Sequence, residues 1–242
     1  MTTLIKIIVA TILSFTLFSC NFDINMNPGV KGNGDVIIED RTSNASFSTI
    51  KATEGLDVYL TQSDSESIIV EADENLQDLI LTEVENGVLK IHTEQNIGKA
   101  TSKKIKVSFK DISSIISTSG SDVYSTNTIT VENLELKSTS GSDMKLSVNT
   151  SILNCKSTSG SDIHLSGTTS KLIAEATSGS DIKAADLMAE SSHVKATSGA
   201  GITVNTSKEL IAKASSGGDV KYYGNPEKVE TSNNPSGSVK QK

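Results

Sequence analysis

Six near-copies of one polar phrase punctuate the second half of the chain: STSGSD at residues 117–122, 138–143 and 157–162, ATSGSD at 176–181, ATSGAG at 196–201 and ASSGGD at 214–219. Their glycines, Gly120, Gly141, Gly160, Gly179, Gly199 and Gly217, follow one another at intervals of 21, 19, 19, 20 and 18 residues. A unit of about twenty residues is too short to bury an apolar face alone, so successive units must stack into a solenoid.

Counting from each glycine exposes the pattern. Five residues before it stand Ile115, Leu136, Cys155, Ala174, Val194 and Ala212, and three after it Val123, Met144, Ile163, Ile182, Ile202 and Val220. Apolar residues alternate with polar ones on both sides of the glycine, which predicts strand, corner, strand in each unit with one face inward. Nothing has helical spacing, and the Leu-x-Leu-x-x-Asn signature of leucine-rich repeats is missing. The expected fold is all-β: a single-stranded, right-handed parallel β-helix with coils of about 20 residues.

The phrase then reads as corner chemistry. Glycine takes the left-handed conformation of a sharp reversal, the flanking Ser and Asp offer oxygens to local N–H groups, and the preceding Thr lies in an outward ladder. Upstream, residues 33–110 lack the phrase but keep alternating strands, as in GLDVYL (55–60) and GVLKI (87–91), and predict irregular coils continuous with the regular ones at 111–224. Residues 225–242 are polar and patternless, and are expected to form a disordered tail.

Residues 1–19 combine an early Lys with an apolar run from Ile7 to Phe18 and end before Cys20, which reads as a lipoprotein signal peptide. Cys20 is the expected lipidation site, followed by a linker at 20–32, and the lipid is the expected tie to a membrane. Asn21, where an inner-membrane retention signal would carry Asp, favours the outer membrane. The remaining cysteine, Cys155, has no disulfide partner in the chain. A net charge of -7, with Arg41 the single arginine, speaks against nucleic acid as a partner.

The most chemical column lies two residues after each glycine: Asp122, Asp143, Asp162, Asp181, Gly201 and Asp219. Stacked carboxylates repel one another or share a cation, and calcium would need six to eight oxygens around it. Columns four before and four after the glycine are rich in Lys, including Lys137, Lys156, Lys195 and Lys213 before it and Lys145, Lys183 and Lys221 after it. Turn-capping aspartates balanced by these lysines are therefore expected, with no metal and no cofactor. His164 and His193 are candidates to approach one another across coils without a second ligand type, and Cys155 is expected to be a buried, inert thiol. Carbohydrate-active β-helix enzymes want convergent acids, arginine and aromatic platforms; one Arg and no Trp predict a non-enzyme.

The segments EGLDVYLTQ (54–62) and ENLQDLILTEVENGVLKIHTE (74–94), followed by serial SGSD corners, resemble the head GIN domain family over roughly residues 33–224. The resemblance implies a secreted or lipid-anchored β-helical protein of a Gram-negative envelope and brings no catalytic residues, its adhesin role being an inference from architecture. The expected function is a non-enzymatic, adhesin-like or scaffolding surface that meets a surface protein or polysaccharide. A periplasm-facing sensing or assembly module, and then a carbohydrate-active enzyme, are the alternatives.

Overall fold

A computed structural model of the chain describes residues 28–43, 45–233 and 236–242. Cys20 and the leader lie outside the described residues. In chain order the strands are β1 (Val36–Arg41), β2 (Thr49–Ala52), β3 (Asp57–Gln62), β4 (Ser67–Asp73), β5 (Ile80–Glu85), β6 (Val88–Thr93), β7 (Lys103–Phe109), β8 (Ser114–Ser117), β9 (Asp122–Thr139), β10 (Asp143–Thr158), β11 (Asp162–Thr177), β12 (Asp181–Thr197), β13 (Gly201–Ser215), β14 (Asp219–Tyr223), β15 (Lys228–Asn233) and β16 (Ser238–Gln241). A 3-10 helix, Glu74–Leu79, separates β4 from β5.

The strands join in one hydrogen-bonded sheet that winds into a parallel β-solenoid, as the twenty-residue period predicts. Each of β9 to β13 is most of one coil. Met144 faces Val123 on one side and Ile163 on the other, and Cys155 faces Leu136 and Ala174, so equivalent positions stack in register. Along β10, Met144, Leu146, Val148 and Thr150 point inward, then Ser151 and Ile152 are both exposed before Leu153 and Cys155 return to the core. That break in period-2 alternation is where the strand bends into the second flank of the coil.

The corner opposite the bend demands more than one glycine. Ser119 and Gly120 have φ of 56° and 73°, and Ser159 and Gly160 have 58° and 70°. Two consecutive positive φ values mark a type I′ turn, closed at the first corner by the Ser121 N–H to the Thr118 carbonyl at 3.3 Å. Adjacent corners are tied together: the Gly141 N–H reaches the Ser159 carbonyl at 3.1 Å, and the Gly160 N–H reaches the Ser178 carbonyl at 3.2 Å.

The serine after each glycine turns inward instead of out to solvent. Ser121, Ser142, Ser161 and Ser180 are fully buried. Ser142 Oγ lies 2.8 Å from the Ser117 carbonyl of the neighbouring coil and accepts the Thr139 N–H at 3.1 Å. Ser138 donates to the Ser142 carbonyl at 2.8 Å. A buried hydroxyl is tolerated here because the open corner leaves backbone groups that the sheet ladder cannot satisfy. Ala200 and Gly218 take the position in later coils.

The upstream half pairs with the regular coils through β3 and β8, but its coils are not stacked in sequence order. Glu54 and Gly55 repeat the corner with φ of 62° and 69°. Asp57 faces Asp122 across 65 residues of sequence, while β6 and β7 occupy the outer edges of β2 and β3. The chain thus builds one coil, extends outward, and returns through β8 to the other side of the first. Antiparallel pairs, β1 with β4, β4 with β7 and β5 with β6, close this end. Behind them the buried Asp73 carboxylate accepts N–H groups of Gly34, Thr101 and Ser102 at 2.9–3.0 Å, and Gln77 bonds to the Ile37 and Val70 carbonyls.

At the other end, the expectation of a disordered tail from residue 225 is corrected. β15 pairs with β13 and β16 with β14, placing Val229 beside Leu210 and Val239 beside Val220. These residues form a last, partial coil. The signal is a degenerate copy of the phrase, PSGSV at 235–239, whose Gly237 aligns with Gly218 and not with the corner glycines. A Cβ at Gly237 would stand 2.5 Å from the Ala214 carbonyl carbon and oxygen, so the backbone packs there only without a side chain.

Candidate functional site

The stacking converts each sequence column into a straight outward row with a step of about 4.8 Å. The carboxylate row is complete in register: Asp122, Asp143, Asp162 and Asp181 are paired directly, followed by Gly201 and then Asp219. The structure adds Asp57 at one end, making five consecutive aspartates. The repeat phrase does not reveal it, because the coil that carries Asp57 uses EGLD in place of SGSD.

Burial, and then the carboxylates of Asp143 and Asp57 on either side, push the Asp122 carboxyl above its ordinary range. Beside this row Tyr59 and Tyr124 stack with ring centroids 5.2 Å apart. The Lys183 ammonium lies 2.8 Å from Asp162 and 3.9 Å from Asp181, and the hydrogen bond to Asp162 raises its pKa. Among the described residues, no three His, Cys, Asp or Glu side chains are arranged to hold a metal ion.

Only one of the two lysine columns compensates the aspartates. The column four after each glycine, with Lys145, His164 and Lys183, adjoins the Asp row on the same flank. The column four before each glycine lies across the corner on the other flank, where Lys137 faces Lys156 and Lys195 faces Lys213. Its neighbour toward the corner is the threonine ladder, in which Thr197 Oγ1 donates to Thr177 Oγ1 at 3.0 Å. The same division separates the histidines. His164 sits against Lys183 on the aspartate flank, whereas His193 sits between Ile173 and Ile211 on the other, so the coils keep them apart.

Cys155 is buried in the inward column that predicts it, and desolvation pushes its thiol far above the usual range. A surface groove of about 490 Å³ runs over the bend side of the middle coils between Asn149, Thr168, Met188 and Asn205. Met188 is 66% exposed at its centre, and Thr168 donates to Asn149 Oδ1 at 2.9 Å. A methionine in an otherwise Asn/Thr row has no periodic signature, so sequence reasoning has no handle on it.

Solved structures share this architecture. A putative adhesin from Bacteroides fragilis superposes with a TM-score of 0.82 at 22% identity, covering 88% of this chain and 100% of that one. A putative adhesin from Parabacteroides merdae gives 0.70 at 19% identity, with 88% and 98% covered. A structure from Parabacteroides distasonis described as a putative lipid binding protein gives 0.68 at 22% identity, with 88% and 99% covered. None of the curated proteins matches. The family described as "Putative auto-transporter adhesin, head GIN domain" matches residues 46–226, three quarters of the sequence, and the chain belongs to that family.

Proposed function

We propose that the protein is a non-enzymatic, lipid-anchored component of the bacterial cell envelope that presents its solenoid flanks as an adhesin-like binding surface. The observation that carries this reading is the uninterrupted stack of coils: the interior is filled by aliphatic columns such as Ile163, Leu172 and Ala174, while polar side chains repeat outside at one strand spacing. Such a surface binds by summing regularly spaced weak contacts, which suits a repetitive partner better than a small substrate. Membership of the adhesin family agrees with it. Attachment is proposed through a lipid on Cys20, which closes the apolar leader of the sequence.

The test is genetic and chemical together. A strain lacking the protein is complemented with the wild type or with Cys20→Ala, and labelled fatty-acid incorporation and adherence to a coated surface are measured. Label on the wild type only, and adherence restored by the wild type only, is the expected result. Adherence indifferent to the deletion overturns the adhesive role, and absence of label on Cys20 overturns the anchor.

A further inference from the structure

The two flanks differ in how they arrange charge. On the aspartate flank, lysines run beside carboxylates. On the other, Lys137 is stacked directly on Lys156 and Lys195 on Lys213, with threonines as the adjacent column. Lys137 and Lys195 are met by Glu135 at 2.8 Å and Glu175 at 4.0 Å, whereas neither Lys156 nor Lys213 has a carboxylate within 4.0 Å among the described residues. Like charges directly opposite one another on paired strands destabilise a sheet. The fold does not demand lysine there, since Ile116 and Glu175 occupy the same column. On a chain of net charge -7, this is a concentration of cations held at a cost, which is the usual mark of a binding surface.

We infer that the threonine and lysine columns of this flank form a docking surface for a linear acidic polysaccharide, a proposal that rests on the adhesin-like reading above. A polymer laid along the stack meets an ammonium at four of the six repeat positions, in the pairs Lys137/Lys156 and Lys195/Lys213 on either side of Glu175, and its hydroxyls meet the exposed edge of the threonine ladder. The row is straight and steps by one strand spacing, so many weak charge contacts add without bending the ligand. Two other polyanions fit less well. Among the described residues of the regular coils, this flank carries no Phe, Tyr, Trp or Arg, its one ring being the His193 imidazole, and neither column projects a large exposed apolar side chain that would enter a bilayer.

The experiment measures binding of the purified protein to polygalacturonate, alginate and hyaluronate, to methyl-esterified polygalacturonate as the neutral control, and to vesicles with and without phosphatidylglycerol. Two variants accompany the wild type: Lys156→Gln with Lys213→Gln on the proposed face, and Lys145→Gln with Lys221→Gln on the aspartate flank. Expected are binding to at least one acidic polymer and none to the ester. The first variant should lose about tenfold in affinity with a shallower salt dependence and melt no lower than the wild type, since it relieves the stacked like charges, and the second should lose less than about twofold. Failure to bind all three acidic polymers, equal affinity for the ester, equal losses in the two variants, or binding to anionic vesicles alone each overturns the proposal. Adherence that still depends on the protein when the Lys156/Lys213 variant is fully active would leave the adhesin reading standing and remove this face as its site.

Discussion

Ser161 Oγ lies 2.8 Å from the carbonyl of Ser138, 23 residues earlier in the chain, and so pins one corner of the solenoid to the next. Ser161 also accepts the Thr158 N–H at 3.1 Å; the first contact is buried and the second partly so. Ser161→Ala removes the hydroxyl that joins the Thr158 N–H to the Ser138 carbonyl of the neighbouring coil and should cost about 1–3 kcal/mol. Its neighbour Ser157 donates to the Ser161 carbonyl, which also receives the Asp181 N–H, so Ser157→Ala should cost distinctly less. Urea midpoints of the two variants check the order.

The corner makes a second distinction. Ser159 holds φ of 58° beside Gly160, a conformation that Asn tolerates and a β-branched residue resists. Ser159→Asn should change stability by less than about 0.5 kcal/mol, whereas Ser159→Val should lose at least about 1 kcal/mol. Thermal melts of the pair decide the point, and equal stabilities would contradict the type I′ corner.

Two aspartates should respond to pH in opposite senses. Burial alone would raise Asp73, but the N–H groups of Ser102, Gly34 and Thr101 outweigh it and hold its carboxyl below the ordinary range. Its contribution is therefore present above the unfolded carboxylate pKa and is lost as pH falls through the lower, folded value. Asp122 is raised by burial and then by Asp143 and Asp57, so its ionised form opposes folding at neutral pH and the penalty is relieved as pH falls through its folded value. Asp122→Asn should raise the melting temperature at pH 7 and give no gain at about pH 3, while Asp73→Asn should lower it at pH 7 with the deficit shrinking in acid.

Chelation addresses the carboxylate row. With its charge met on the same flank by Lys183, and with no cage of three ligands among the described residues, stability should not depend on a divalent cation. Adding excess chelator should leave the melting temperature within about 1 °C, and a larger fall would make the row a metal site.

The thiol of Cys155, buried and raised by desolvation, should stay unreactive toward a thiol reagent in the folded protein and react at the ordinary rate in denaturant.

How much of this was legible follows from the range of each signal. The corners, the inward columns and the Asp122-to-Asp181 register repeat every twenty residues, so each copy predicts the next. Asp57 belongs to the same row but is recruited by a coil whose strands are separated by an outward excursion, and local periodicity carries no information about that stacking order. The last coil was hidden because its phrase had lost both its aspartate and the register of its glycine. The division of lysines between the flanks depends on which side of the corner a residue falls, a three-dimensional fact that column counting merges. Met188 stands exposed in a bulged stretch where β11 and β12 shift register between His164 and Ser166, and no pattern announces it.

An adhesin-like solenoid must be displayed on the outside of the cell envelope, and protease treatment of intact cells carrying an epitope tag after Lys242, with lysed cells as the control, measures that display. An outward-facing adhesin predicts loss of the tag from intact cells and from lysate alike. Retention of the tag on intact cells with loss only after lysis would contradict the adhesin-like reading and place the protein's partners inside the envelope.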